Sequence, residues 1–106
     1  MANKHSAEEK INHERYLQEF TIQLLGRIAF TPEQITKIVS TKKQNPDNYV
    51  RAYNACDGTH SVSDLAKIAE VKQPTMTEVL QNWDDSGIIF QAERSGGKFY
   101  KKLFSI

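Results

Sequence analysis

A single cysteine, Cys56, in 106 residues rules out an internal disulfide and any Cys-rich zinc site, and it suits a reducing compartment. Long apolar runs are missing too. No stretch approaches the roughly 18–20 residues that a membrane-spanning helix needs, and Met1 to Lys10 is polar where a secretory leader would turn from basic to apolar. The expectation is a cytoplasmic protein with no membrane partner. Charge of one sign is scarce: 14 Lys plus Arg against 13 Asp plus Glu leave a net charge of +1, so any contact with phosphate must come from local clusters of cations. His5, His13 and His60 share no metal-ligand spacing with the cysteine or the acids, so no metal is expected. No P-loop ending follows the glycines of SGGK, no nucleophile stands beside a base, and no cofactor fingerprint is present. The chain does not read as an enzyme, and it contains no repeat or low-complexity tract.

What is present is the ordinary balance of a folding globular chain, 39% apolar and 25% charged, at a length that fits one compact core. From Glu8 to about Ala29, Ile11, Tyr16, Leu17, Phe20, Leu24, Leu25 and Ile28 recur at three- and four-residue steps, the period of an amphipathic helix that needs a partner face. Thr31 and Pro32 then read as the cap and first residue of a short helix with Ile35, Ile38 and Val39 on its apolar side. A basic connector, residues 40–45, leads to Asn45-Pro46-Asp47, a third start signal. The helix after it places Tyr49, Val50, Tyr53 and Cys56 on one side and is expected to stop at Asp57-Gly58. Ser61 to Asp64 has capping-box spacing ahead of Leu65, Ala66, Ile68 and Ala69. A helix from about Gln73 to Ser86 turns Met76, Val79, Leu80 and Trp83 inward, and Gly87 closes it. Residues 88–93 and 99–106 are β-prone runs joined by Arg94-Ser95-Gly96-Gly97-Lys98, the pattern of a hairpin. The fold class predicted is mainly α with a small β-hairpin.

Residues 61–90, SVSDLAKIAEVKQPTMTEVLQNWDDSGIIF, resemble the helix-turn-helix and first wing strand of MarR-type and related winged-helix transcription regulators. The likeness extends over residues 46–106, because NPDNYVRAYNACDG and the SGGK hairpin fall where that fold has its first helix and its wing. It implies a winged helix-turn-helix domain at 46–106 preceded by two N-terminal helices, 1–45, which would pair two copies. It also implies a regulator acting as a homodimer on double-stranded DNA by occupancy, with the recognition helix (about 73–86) in the major groove. On that likeness Gln73, Pro74, Thr75, Thr77 and Glu78 form the groove-facing start of the recognition helix, and Gln81 lies one turn further on. Gln73 would bond an adenine edge, the Thr methyls would meet a thymine methyl, and Glu78 would accept from a cytosine amino group. Ser61 and Ser63 would bond phosphate at a helix N-terminus. Lys72, Arg94, Lys98, Lys101 and Lys102 would supply the basic edge, Arg94 and Lys98 from the wing, with Lys42 and Lys43 of the connector adding to it.

Charge within the chain refines this. Residues 46–106 hold 7 Lys plus Arg against 8 acids, and residues 1–45 hold 7 against 5. A domain of net charge −1 does not clamp phosphate indiscriminately, so the DNA binding expected is selective and modest per copy. The alternative that suits such a charge is a winged helix used for protein contact, as an adaptor without DNA binding. A ligand- or metal-responsive sensor, a further alternative, would need a pocket between the N-terminal helices and the domain.

Overall fold

In the computed structural model the described residues are 4–41, 43–92 and 97–106, with side chains described from Lys10 onward. Among them the chain forms α1 (Lys4–Ala29), α2 (Pro32–Ser40), α3 (Pro46–Asn54), α4 (Val62–Ala69), α5 (Gln73–Ser86) and an antiparallel hairpin of β1 (Ile89–Ala92) and β2 (Phe99–Lys102). This is the mainly helical class with a small hairpin that the periodicities predict. No helix among the described residues is long and apolar enough to cross a membrane.

The helix starts follow local chemistry. Thr31 accepts from the Gln34 N–H at 3.2 Å while the Gln34 side chain accepts from the Thr31 N–H at 2.9 Å, a complete capping box with Pro32 in the first turn. Ser61 and Asp64 form a second box at the start of α4. Asn45 stands at the cap position of α3, but its side chain makes no capping bond; Pro46 alone marks that start. The stop of α3 also differs from the expected Asp57-Gly58. The helix ends at Asn54, and Gly58, at φ +84, serves the turn beyond it. There its N–H donates to the Tyr100 carbonyl at 2.9 Å and the Lys102 N–H donates to the Cys56 carbonyl at 2.8 Å. Asp57 is thereby bridged to Lys101, so a one-residue strand lies beside β2.

The core lies between α2, α3, α4, α5 and the hairpin. Ile35, Val39, Tyr53, Leu65, Met76, Leu80, Trp83 and Ile88 are almost wholly buried in it. Tyr53 meets Trp83 edge to face, with ring centroids 5.6 Å apart, and donates its hydroxyl to the Ile88 carbonyl at 2.8 Å. Each strand is four residues long, with Ile89 opposite Lys102 and Ala92 opposite Phe99. Residues 103–106, expected to continue the second strand, extend it by one further bond only, from the Leu103 N–H to the Ile88 carbonyl at 3.3 Å, and then depart. Leu103 drops into the core, and the Ile106 N–H donates to the Asn54 side chain at 2.8 Å.

Helix α1 stands apart. At about 1.5 Å per residue it is about 39 Å long, and it accounts for extents of 58 × 31 × 18 Å and a radius of gyration of 15.4 Å, against about 13 Å for a compact chain of this size. It rests on the body along a narrow strip one turn apart in each step. Glu19 pairs with Lys101, Gln23 donates to the Lys102 carbonyl at 3.3 Å, and Gly26 sits against Leu103. A Cβ on Gly26 would lie 2.8–3.0 Å from three Leu103 carbons, so the absence of a side chain sets how closely the helix approaches. Gly26→Val is expected to cost about 1–3 kcal/mol by overpacking, read as a lowered midpoint in urea unfolding. An unchanged midpoint would mean that α1 is not seated at Leu103.

Candidate functional site

The exposed end of α5 is where the structure gathers most of the polar residues singled out by sequence. Its inward face, Met76, Val79, Leu80 and Trp83, is buried, which turns Gln73, Pro74, Thr75, Thr77, Glu78 and Gln81 to the surface. Thr77 returns its hydroxyl to the Gln73 carbonyl at 3.0 Å and Gln81 donates its amide to Asp85 at 3.0 Å. The side chains of Gln73, Thr75 and Glu78 have no hydrogen-bond partner among the described residues, so their polar side-chain atoms are available to a ligand. Lys72 occupies the cap position, exposed and without a capping side-chain bond. The α5 N-terminus therefore keeps unpaired N–H groups.

What fixes α5 against the body is the joint before it. Glu70, the C-cap of α4, adopts φ +59, ψ +43, a left-handed conformation uncommon for a residue with a side chain. Its carboxylate accepts from the Asn48 amide at 2.8 Å, and the same amide reaches the Ala69 carbonyl at 3.4 Å. Asn48 is buried, and Arg51 donates to its carbonyl oxygen. The sequence offers no signal for this link, because a polar residue on an apolar helix side reads as solvent-facing until its partners are known.

No family model, curated protein or solved structure matches this chain.

The other residues singled out are placed as follows. Lys98 is exposed just before β2, whereas Arg94 lies outside the described residues, as does Lys42. Ser61 and Ser63 are half-buried at the start of α4. There the chain's own carboxylate takes the place an anion would seek: Asp64 accepts from the Ser61 N–H at 3.2 Å while the Ser61 hydroxyl accepts from the Asp64 N–H at 3.1 Å. Those bonds, led by the Ser61 N–H, lower the Asp64 pKa. Beside it Asp57 accepts from the Thr59 hydroxyl at 2.6 Å, from the Thr59 N–H at 2.9 Å and lies 3.1 Å from His60 Nδ1. The Thr59 hydroxyl leads in holding Asp57 well below the usual carboxylate range.

Charge on α5 is one-sided. Between Lys72 and Arg94 the sequence has no Lys or Arg, while Glu78, Asp84 and Asp85 all fall within the helix. The cations nearest the hairpin are partly committed, since Lys101 pairs with Glu19. Two open grooves flank α1, one of about 480 Å³ between Phe20, Leu24, Arg27 and Phe104, and one of about 320 Å³ between Ile11, Ile22 and Phe90. They are what remains where a cylinder meets the body along a narrow strip. Cys56 is buried, its Sγ 3.4 Å from the Ala52 carbonyl, and burial pushes the thiol up to about 12. It is a small core residue and not a reactive thiolate. Among the described residues no three His, Cys, Asp or Glu side chains are grouped to hold a metal.

The carboxylates at the α3–α4 turn give a pH dependence with a definite sign. Both have folded pKa values below the unfolded one, so their stabilising effect is present above about pH 4 and is lost as pH falls through the folded values. Asp57→Ala with Asp64→Ala should therefore be less stable than the parent at neutral pH, with the gap closing in acid. Urea unfolding across pH measures it, and a gap that stays constant into strong acid would refute the assignment.

Proposed function

We propose that this chain is a winged helix-turn-helix protein that binds double-stranded DNA selectively, with the first two turns of α5 in the major groove. The observation that carries this is the division of α5 into a wholly buried face and a polar, exposed N-terminal face. A short joint braced by Asn48 and Glu70 holds it after α4. The Asp57 bridge beside β2 supports the same reading, since it adds a third, one-residue strand between α3 and α4 in a helix, strand, helix, helix, hairpin order. Gln73 and Thr75 would read base edges and Glu78 would accept from a cytosine amino group. Lys72, Lys98 and Arg94 would meet the backbone. Binding of this kind regulates by occupancy and needs no chemistry.

With few cations at hand, affinity should be modest and carried by base contacts more than by phosphate. Gln73→Ala is expected to cost about 1–3 kcal/mol on a preferred sequence and to relax the preference at one base pair. Lys72→Ala should weaken all sequences alike and flatten the salt dependence by about one phosphate's worth. Fluorescence anisotropy on duplexes selected from a random pool measures both. Absence of any binding at low salt would sink the proposal.

A second reading has its own observation. The lack of Lys or Arg between Lys72 and Arg94, together with Glu78, Asp84 and Asp85 on α5, favours a basic protein partner over phosphate. In that case α5 serves an adaptor, and DNA binding is absent at every salt concentration.

A further inference from the structure

We infer that the groove between α5 and the segment leading into α3 takes an arginine side chain of a partner protein. The inference stands on the groove itself and not on what the outer end of α5 binds. The groove has a volume of about 460 Å³. It is lined by the connector with Lys43 and Asn45, α3 with Tyr49, the α4–α5 joint with Glu70, and α5 with Glu78 and Asn82. Tyr49 is only 8% exposed, and its hydroxyl has no hydrogen-bond partner among the described residues. What its ring does hold is a cation. The Lys43 ammonium stands 5.0 Å from the ring centroid, and although Glu70 and Glu78 line the same groove it pairs with neither.

The chemistry of the lining selects the occupant. Two carboxylates face one ammonium. Glu70 is partly committed, since its carboxylate accepts from the Asn48 amide at 2.8 Å; Glu78 is exposed and has no partner among the described residues. Both would repel a phosphate, and an apolar ligand would have to strip water from them. A metal ion finds no third acid or histidine grouped with them among the described residues. A cation meets an acceptor and an aromatic face together. Guanidinium uses both at once, because its plane stacks on a ring while its fork of N–H groups bonds a carboxylate, and water holds it less tightly than an ammonium. Lys43 thus stands where the partner's arginine goes, an internal cation that covers the ring until a better one displaces it.

The shape of the site makes the source a protein segment and not a free small molecule. Small-ligand pockets enclose most of their ligand's surface, whereas Glu70, Thr75, Glu78 and Asn82 along this groove are all exposed. A side chain needs only its end covered, because its backbone runs outside. The side-chain amides of Asn45 on the connector and Asn82 on α5 have no hydrogen-bond partner among the described residues, and they can bond that backbone. Glu78 also belongs to the end of α5 proposed to meet DNA, so the two occupants exclude one another.

The test is an amide shift titration by NMR of the whole chain with a blocked pentapeptide that carries one arginine between alanines, and with its lysine and citrulline counterparts. The arginine peptide should give saturable shifts at residues 43–49, 69–71 and 75–82. The lysine peptide should bind more weakly, and the citrulline peptide, which keeps the shape and loses the charge, should not bind. Glu78→Gln should weaken the arginine peptide about three- to tenfold, the range of a partly exposed charged hydrogen bond. Lys43→Met should strengthen it about two- to fivefold, because the internal competitor is gone. The citrulline comparison needs no variant, so it decides even if one misfolds. Absence of shifts at the groove would overturn the inference. So would equal binding of the lysine or citrulline peptide, or weaker binding by Lys43→Met. No DNA is present in these measurements, so their failure and that of the DNA-binding proposal are separate.

Discussion

The hydroxyl of Tyr53, deep between α3 and α5, donates to the carbonyl of Ile88 where the chain leaves α5 for the hairpin. One bond thus joins the three parts whose relative placement defines the molecule. The Tyr53 ring is held edge-on by Trp83, so its position is set by packing and its polar tip by a backbone carbonyl. Burial raises the Tyr53 pKa, which keeps the hydroxyl a donor at neutral pH. With Tyr53 in place, α5 can show only one polar face to the outside, and the hairpin must leave on the side of α3.

Around that point the body closes on itself, and α1 does not. Its seat on the body runs along Lys101, Lys102 and Leu103, with Arg27 over the Phe104 ring beyond them. Among the described residues the same helix therefore combines a narrow seat on the body with all of the exposed large apolar side chains. These two facts have one origin. A stripe wide enough to wrap half a helix cannot be buried by a body that touches only the other half.

Much of the helical pattern was legible from residue periodicity alone. Met76, Val79, Leu80 and Trp83 point inward as their spacing predicts, and Gly87 closes α5 in the left-handed conformation. Local chemistry also shows in the two capping boxes, of which only the Ser61–Asp64 one was expected. What escaped the sequence is what depends on distant partners. Gly58 looks like a helix terminator because Asp-Gly is a common stop, yet it serves a backbone bond to Tyr100 in β2. The last strand looked longer than it is because Leu103 and Phe104 are β-prone, and only the core decides that Leu103 turns inward. At the candidate site, the exposure of Gln73, Thr75 and Glu78 follows from the helix period. The ties of Ser61, Thr77 and Gln81 to Asp64, Gln73 and Asp85 are local helical ones, whereas the Asn48–Glu70 link depends on a partner outside its own helix.

Glu70 is the residue at which these themes meet. Its left-handed backbone would suit glycine better, but glycine could not hold the carboxylate that accepts from Asn48. The angle between α4 and α5 is therefore braced from underneath, by an amide that no ligand can touch. Two relatives of this chain could present identical outward residues on α5 and still aim them differently, because the tilt is encoded in the floor of the joint and not in the surface it supports.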